Sequence, residues 1–222
     1  MPSVRKKDFI EVEYTGRLKQ GDIVFDTTDE SLAKKANIFS KRMAYGPIIV
    51  CLGEGQLLKG LEKELEGKEA GKEYKICLSP EDAFGKKDAK LIKMIPAAAF
   101  RKQNIIPEPG MQVNIDGVLG IIKTASGGRC LVDFNHPLSG KDVVYDVKIK
   151  RIVTDDKEKI KSYLALMFNN KDVNVELKDG KAEVMVKNDL PAEIQESIKN
   201  DVKRLVPSVK DLLFKKEVTQ KR

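Results

Sequence analysis

Hydrophobic and polar positions alternate over short runs through the first part of the chain. Ile10, Val12 and Tyr14 alternate with Glu11 and Glu13, the period-two pattern of a half-buried strand. Gln20-Gly21 turns into Ile23-Val24-Phe25, residues 27–46 are polar and irregular with a short helix around Ser31 to Ala36, and Ile48 to Leu52 is a further strand. The period then changes. Leu57, Leu58, Leu61 and Leu65 fall at helical spacing, and Gly67 stops that helix where a left-handed backbone suits glycine. Tyr74, Ile76 and Leu78 return to alternation, which Ser79-Pro80 closes.

From about Lys86 to Val132 the texture differs, punctuated by Pro96, Pro107 and Pro109. Met111, Val113 and Ile115 lead through Asp116-Gly117, a strong hairpin signal, into a return strand over Val118 to Thr124. Gly127-Gly128 turns the chain into Arg129 to Phe134, and Val143, Tyr145, Val147 and Ile149 mark one long strand. A third section opens with Asp155 and Glu158 in a capping arrangement, followed by an apolar helix face of Ile160, Tyr163, Leu164, Met167 and Phe168. Val173, Val175 and Leu177 pass through Asp179-Gly180 to Ala182, Val184 and Val186, a second hairpin. A last helix begins near Pro191, carries Ile194, Ile198, Val202 and Leu205, and stops before Pro207. Val209, Leu212 and Leu213 are expected to dock as a final turn, and the charged end from Lys215 to fray. Helix, hairpin and helix predict a small α+β domain with its own core.

Composition narrows the function. With 41% apolar and 34% charged residues the chain is globular rather than disordered. Its net charge of +7 comes from 41 basic and 34 acidic residues with no long basic block, which reads as a solvated surface rich in Lys and Glu. Weak attraction to ribosomes or RNA is the functional alternative, and the absence of Trp argues against a base-stacking surface, so nucleic acid is not an expected partner. Cys51, Cys77 and Cys130 are far apart, which suggests reduced structural thiols in the cytosol. No apolar run approaches the ~18 residues of a membrane span, and the start of the chain lacks the apolar stretch of a signal peptide, so a cytoplasmic protein is expected.

The familiar catalytic signatures are missing. His136 is the sole histidine, lying in a loop between Asn135 and Pro137, and neither a nucleophile elbow nor a phosphate-binding loop is present. One histidine and scattered cysteines offer no chelating spacing, so neither metal nor cofactor is expected.

Three stretches resemble the FKBP family of peptidyl-prolyl cis-trans isomerases, in the family's order. They are Tyr14-Thr15-Gly16 with Gly21 to Thr28, Leu52 to Lys72 running on to Ser79-Pro80-Glu81-Asp82-Ala83-Phe84-Gly85, and Val144-Tyr145-Asp146-Val147. The loop Asp133 to Lys141 looks like the signature of the SlyD-like branch, in which a chaperone domain interrupts the flap. With the extra C-terminal section, the chain is similar to the long archaeal forms. The resemblance implies an α+β fold. An antiparallel half-barrel wraps on one helix (residues 1–85 with 133–153), a β-rich insert occupies the flap (86–132), and a small α+β domain follows (154–222).

It further implies an isomerase that accelerates folding, acting on unfolded or nascent polypeptides with X–Pro bonds. The carried-over catalytic positions are Tyr14, Phe25, Asp26, Leu61, Phe84 and Tyr145, with Ile48, Leu57, Leu58 and His136 binding substrate. Leu61 stands where the family often has Trp, which argues against tight macrolide binding, and Phe84 stands where a Tyr hydroxyl often donates to the peptide. In the insert, Met94, Ile95, Phe100, Ile105, Ile106, Met111 and Val113 are either a capture surface for unfolded chains or the insert's own core. Other classes compete: a binding-only holdase, a ribosome-associated factor, or a homodimer joined through Leu212, Leu213 and Phe214.

Overall fold

A computed structural model describes residues 2–170, 172–186 and 189–216. The chain divides into two compact units, one made of the described residues up to Leu78 and from Val143 onward, the other of Ser79–Asp142.

The first unit begins with β1 (Phe9–Leu18), β2 (Val24–Thr27), the short helix α1 (Glu30–Lys35), β3 (Ile48–Cys51), α2 (Lys59–Leu65) and β4 (Glu73–Leu78). Gly21 and Asp22 make the turn between β1 and β2 with φ of 83° and 50°. The helix is shorter than its leucine spacing suggests: Leu57 precedes it and Leu58 is its N-cap. The reason is local: Gly53 and Gly55 both take positive φ, so the chain approaches as an irregular loop before the first helical turn closes. Leu61 and Leu65 are the buried positions of the stripe, and α2 lies against β4.

The second unit is built from β5 (Ile92–Pro96), the helix α3 (Ala97–Arg101), β6 (Gln112–Ile115), β7 (Val118–Ser126) and β8 (Arg129–Asp133). Its sheet runs β5-β8-β7-β6, all antiparallel. Asp116 (φ 52°) and Gly117 (φ 82°) turn β6 into β7, as the hairpin signal predicts. Ala97, Phe100, Val113, Ile122, Cys130 and Val132 form a core of this unit's own. The unit is wider than the 86–132 insert read from sequence, because the loop after β8 is tied into it. Asn135 receives the Asp88 amide (2.8 Å) and returns its own amide to the Asp88 carbonyl (3.0 Å), while Gly140 N–H donates to the Gly85 carbonyl (2.8 Å).

The chain re-enters the first unit as β9 (Val143–Val153), then α4 (Asp156–Phe168), β10 (Asn174–Lys178), β11 (Lys181–Val186), α5 (Ala192–Leu205) and β12 (Asp211–Lys216). β9 lies at the centre of the main sheet, ordered β2-β1-β9-β4, and β3 shares an edge of β1 with β2. Asp155 caps α4 by accepting the Glu158 amide at 2.7 Å. Two sequence expectations change here. Residues 211–216 are a strand rather than a last turn, paired parallel to β11, so Lys215 and Lys216 are ordered in a ladder; the rest of the charged end lies outside the described residues. Parallel pairing needs a crossover, and α5 supplies it.

The C-terminal section also lacks a private core. Ile160, Leu164, Val184, Ile198, Val202 and Leu212 pack in one cluster with Phe9, Cys51 and Val153 from the main sheet. Leu212 is fully buried there and Phe214 packs against it, leaving only Leu213 well exposed among the three residues named as a dimer contact.

Candidate active site

The site is assembled on the central strands. Gly16 of β1 is registered with Asp26 of β2 on one side and with Tyr145 of β9 on the other, so three chain segments meet at one point. A Cβ on Gly16 would sit 2.9 Å from Phe25 Cζ and 2.9 Å from Tyr145 Cε1. Only glycine lets both rings close over the backbone here, the use that an isolated strand glycine signals. The rings meet edge to face, with centroids 5.8 Å apart at 84°. Tyr14 completes the group, its ring 5.9 Å from that of Tyr145.

One carboxylate faces these rings. Tyr14 Oη donates to Asp26 Oδ2 at 3.1 Å. Burial raises the Asp26 pKa, against the Tyr14 hydroxyl and the Thr27 amide, which favour its charged form. Burial first, and the Asp26 charge second, raise the Tyr14 and Tyr145 phenols well above their ordinary range, so both stay protonated donors. Asp26 therefore sits as a hydrogen-bonded carboxyl beside the aromatic rings.

In the loop before α2, Leu57 and Leu58 are half-buried, and Leu61 follows with 1% exposure. Glu62, itself buried, accepts the Gly55 and Leu57 amides at 3.2 Å each, and Gln56 accepts the Cys51 amide at 2.7 Å. The Leu58 N–H, by contrast, has no hydrogen-bond partner among the described residues. Sequence reading missed Gly16, Gln56 and Glu62 as positioning residues. The available signals were a glycine inside an alternating strand and a carboxylate on a leucine-rich helix just after a glycine turn.

Ile48 lines a cleft together with Tyr14. In the second unit, Phe84 and His136 stack face to face, centroids 4.8 Å apart at 1°. His136 Nδ1 accepts the Leu138 amide at 3.2 Å, the loop-residue role its position suggested. The seven insert positions separate. Phe100 and Val113 are core, and Ile95, Ile105 and Met111 pack against it. Met94 (62%) and Ile106 (77%) stand exposed, as do Leu91, Val118 and Leu119. Among the described residues no helix is long and apolar enough to cross a membrane.

The antiparallel sheet, the short helix and an aromatic cup holding the Tyr14–Asp26 pair define a class of binding fold. Comparison with known proteins gives the class its family. Residues 2–103 match the FKBP-type peptidyl-prolyl cis-trans isomerase family, and residues 93–138 match the family described as FKBP26, IF domain. The short-type peptidyl-prolyl cis-trans isomerase of Methanocaldococcus jannaschii is 30% identical over 155 residues, 70% of this chain and 98% of that protein. The FKBP-type 16 kDa peptidyl-prolyl cis-trans isomerase of Escherichia coli is 30% identical over 155 residues, 68% of this chain and 94% of that protein. The SlyD isomerase of Vibrio cholerae is 33% identical over 117 residues, 50% of this chain and 58% of that protein. The chain belongs to the FKBP-type peptidyl-prolyl cis-trans isomerases, and its activity is theirs, the interconversion of cis and trans forms at X–Pro bonds.

Proposed function

We propose that the proline ring of the substrate is received by Phe25, Leu61 and Tyr145, with Asp26 and Tyr14 setting the polarity of the cup and the Leu58 N–H bonding the peptide. The observation that carries this reading is the convergence of Phe25, Tyr145 and the Tyr14–Asp26 pair on Gly16. Rotation about the prolyl bond meets a barrier of ~18–20 kcal/mol because resonance keeps the amide planar. The planar amide is more charge-separated than the twisted one. A largely apolar cup therefore favours the twisted state over the ground state, and a donor to the prolyl nitrogen, which regains its lone pair on twisting, adds to that difference.

On this reading residues 1–85 with 133–153 are the isomerase domain, 86–132 the insert, and 154–222 an added domain. The insert captures unfolded polypeptides carrying X–Pro bonds, through its exposed side chains rather than its core. Met94 is registered with Leu131 on the sheet face opposite the Ile95–Cys130 pair, where Leu119 is also exposed, so apolar groups stand on the uncovered side. Three free thiols support a cytoplasmic location.

Replacing Asp26 by Val, or Tyr145 by Leu, tests the pocket. Asp26→Val loses the part-buried bond from Tyr14 and Tyr145→Leu the ring contact with Phe25, and about a tenfold drop in kcat/KM is expected of each for a short proline peptide followed by NMR exchange. In the parent protein the rate declines as pH falls through the Asp26 pKa, which lies above the ordinary carboxylate value; with Val at 26 the profile is flat there. Folded variants with unchanged rates would remove these residues from the site.

A further inference from the structure

We propose that the C-terminal section supplies one wall of a second substrate subsite, for an apolar side chain flanking the proline on the same extended polypeptide. This rests on the proline-pocket reading above and adds to it. A cleft of about 480 Å³ opens between the segment running into β3 and helix α4. That volume lies within the range of ligand-binding clefts. One wall carries Met43, Pro47 and Ile48, the other Ala165 and Leu166, and the polar groups of Glu158, Lys161 and Asn169 stand among the remaining lining residues. An apolar cleft with polar groups in its lining suits a polypeptide, whose backbone needs hydrogen bonds while its side chain needs burial.

The occupant follows from continuity. Tyr14 and Ile48 line this cleft and are also two of the positions assigned to the proline pocket. They offer a chain with its proline in the cup a way out that runs along this cleft. Its neighbouring residues then meet α4 rather than open solvent.

The cleft is also held open in a fixed geometry. Arg151 on β9 bonds Glu11 on β1 (Nε to Oε2, 2.5 Å) and Glu158 on α4 (Nη1 to Oε2, 3.0 Å), which sets one end of the helix. At its other end Asn169, the α4 C-cap, donates to the Arg42 carbonyl at 3.2 Å. Both walls are thereby pinned before substrate arrives, so little ordering entropy opposes binding. Yet Met43 (49%) and Leu166 (40%) remain exposed, which leaves apolar surface for an incoming side chain to cover.

The test uses the full chain and two sets of peptides. One set is a proline tetrapeptide. The other is a series of twelve-residue peptides with a single Leu, or Ser as control, placed one to four residues to either side of the proline. The expected result is a spacing at which Leu raises kcat/KM about fivefold over Ser, through KM. In Leu166→Glu and Met43→Glu the ratio of long-peptide to tetrapeptide kcat/KM falls by the same factor at that spacing. Both positions are exposed, and the ratio cancels any loss of folded protein. A Leu preference that persists in both variants, or no preference at any spacing, overturns the subsite while leaving the proline pocket intact. Failure of the parent protein to isomerise the tetrapeptide overturns the pocket and the subsite together.

Discussion

The insert and the C-terminal section are both additions to the isomerase sheet, yet they are built on opposite terms. The insert's buried residues, from Ala97 to Val132, all come from its own segment. The C-terminal section buries Ile160, Leu164 and Val202 in one cluster with Phe9, Cys51 and Val153 of the main sheet. A segment with its own core can be attached by two chain crossings and removed again. A segment that shares a core becomes part of the stability of what it is attached to. The difference shows how one chain can carry one addition that stands on its own core and another that shares the core of the main sheet.

The sharpest way to break this contrast is to remove each addition in turn. Ending the chain after Val153 uncovers Phe9 and Cys51, both at most 2% exposed, and removes thirteen of the sixteen buried residues in their shared cluster. At ~1.5–3 kcal/mol for each large side chain, the loss is comparable with the ~5–15 kcal/mol of net stability a domain has. The truncated chain is expected to aggregate or to melt at least ~15 °C lower. Replacing 89–134 by a short glycine turn joins Asp88 to Asn135, two residues already hydrogen-bonded. Melting of the remainder should move by less than ~3 °C, tetrapeptide isomerisation should persist, and refolding of a proline-limited protein should slow by an order of magnitude or more. Similar melting losses in both deletions would show that the insert is not independent.

This contrast was only partly legible in the sequence. Alternation and turn chemistry located the strands, and Asp116-Gly117 and Asp179-Gly180 adopt the positive φ that marks their hairpins. The cup residues Tyr14, Phe25, Asp26 and Tyr145 were legible because local motifs carry them. What was hidden is whatever depends on partners distant in the chain. Nothing near Leu212 says that β11 will accept it in parallel register, so six residues of strand looked like a turn. The apolar faces of α4 and α5 predict burial but not against what, so a shared core read as a private one. In the insert, Phe100 and Met94 look alike by composition, and only the fold separates a 4% exposed core residue from a 62% exposed one.

Single substitutions sharpen the same comparison at smaller scale. Leu164→Ala and Phe100→Ala each empty a buried site, at a cost of ~2–5 kcal/mol. Their consequences should diverge. Leu164→Ala lowers the melting transition that carries tetrapeptide isomerisation, because its core includes the main sheet. Phe100→Ala loosens the insert alone, so tetrapeptide catalysis stays within about twofold while hydrogen exchange accelerates in residues 92–133. Loss of catalysis in Phe100→Ala at a temperature where the main sheet is intact would contradict the separation of cores.

The smallest effect probes whether the shared attachment reaches the loop before α2. Arg204 on α5 forms a two-pronged ion pair with Glu54, Nη1 to Oε1 and Nη2 to Oε2 both at 2.7 Å, and also bonds Asp201 at 2.9 Å. Asp201 in turn accepts the Tyr163 hydroxyl of α4 at 2.8 Å, so both C-terminal helices converge on the residue next to Gly55. The Gly55 and Leu57 amides are held from the other side by Glu62. The pair is partly exposed, which limits its contribution to about 1 kcal/mol, or ~2–4 °C in melting. Arg204→Ala should therefore lower the melting temperature by a few degrees and kcat/KM by about twofold, with 1 M salt shrinking both differences. Arg204→Lys restores part of the stability but less of the rate, since a single ammonium cannot reproduce the two-pronged geometry that orients Glu54. If the Ala variant loses stability while its kinetics stay those of the parent, the C-terminal section supports the sheet and leaves the loop to Glu62. If both fall together, the shared core and the loop before α2 are one mechanical system.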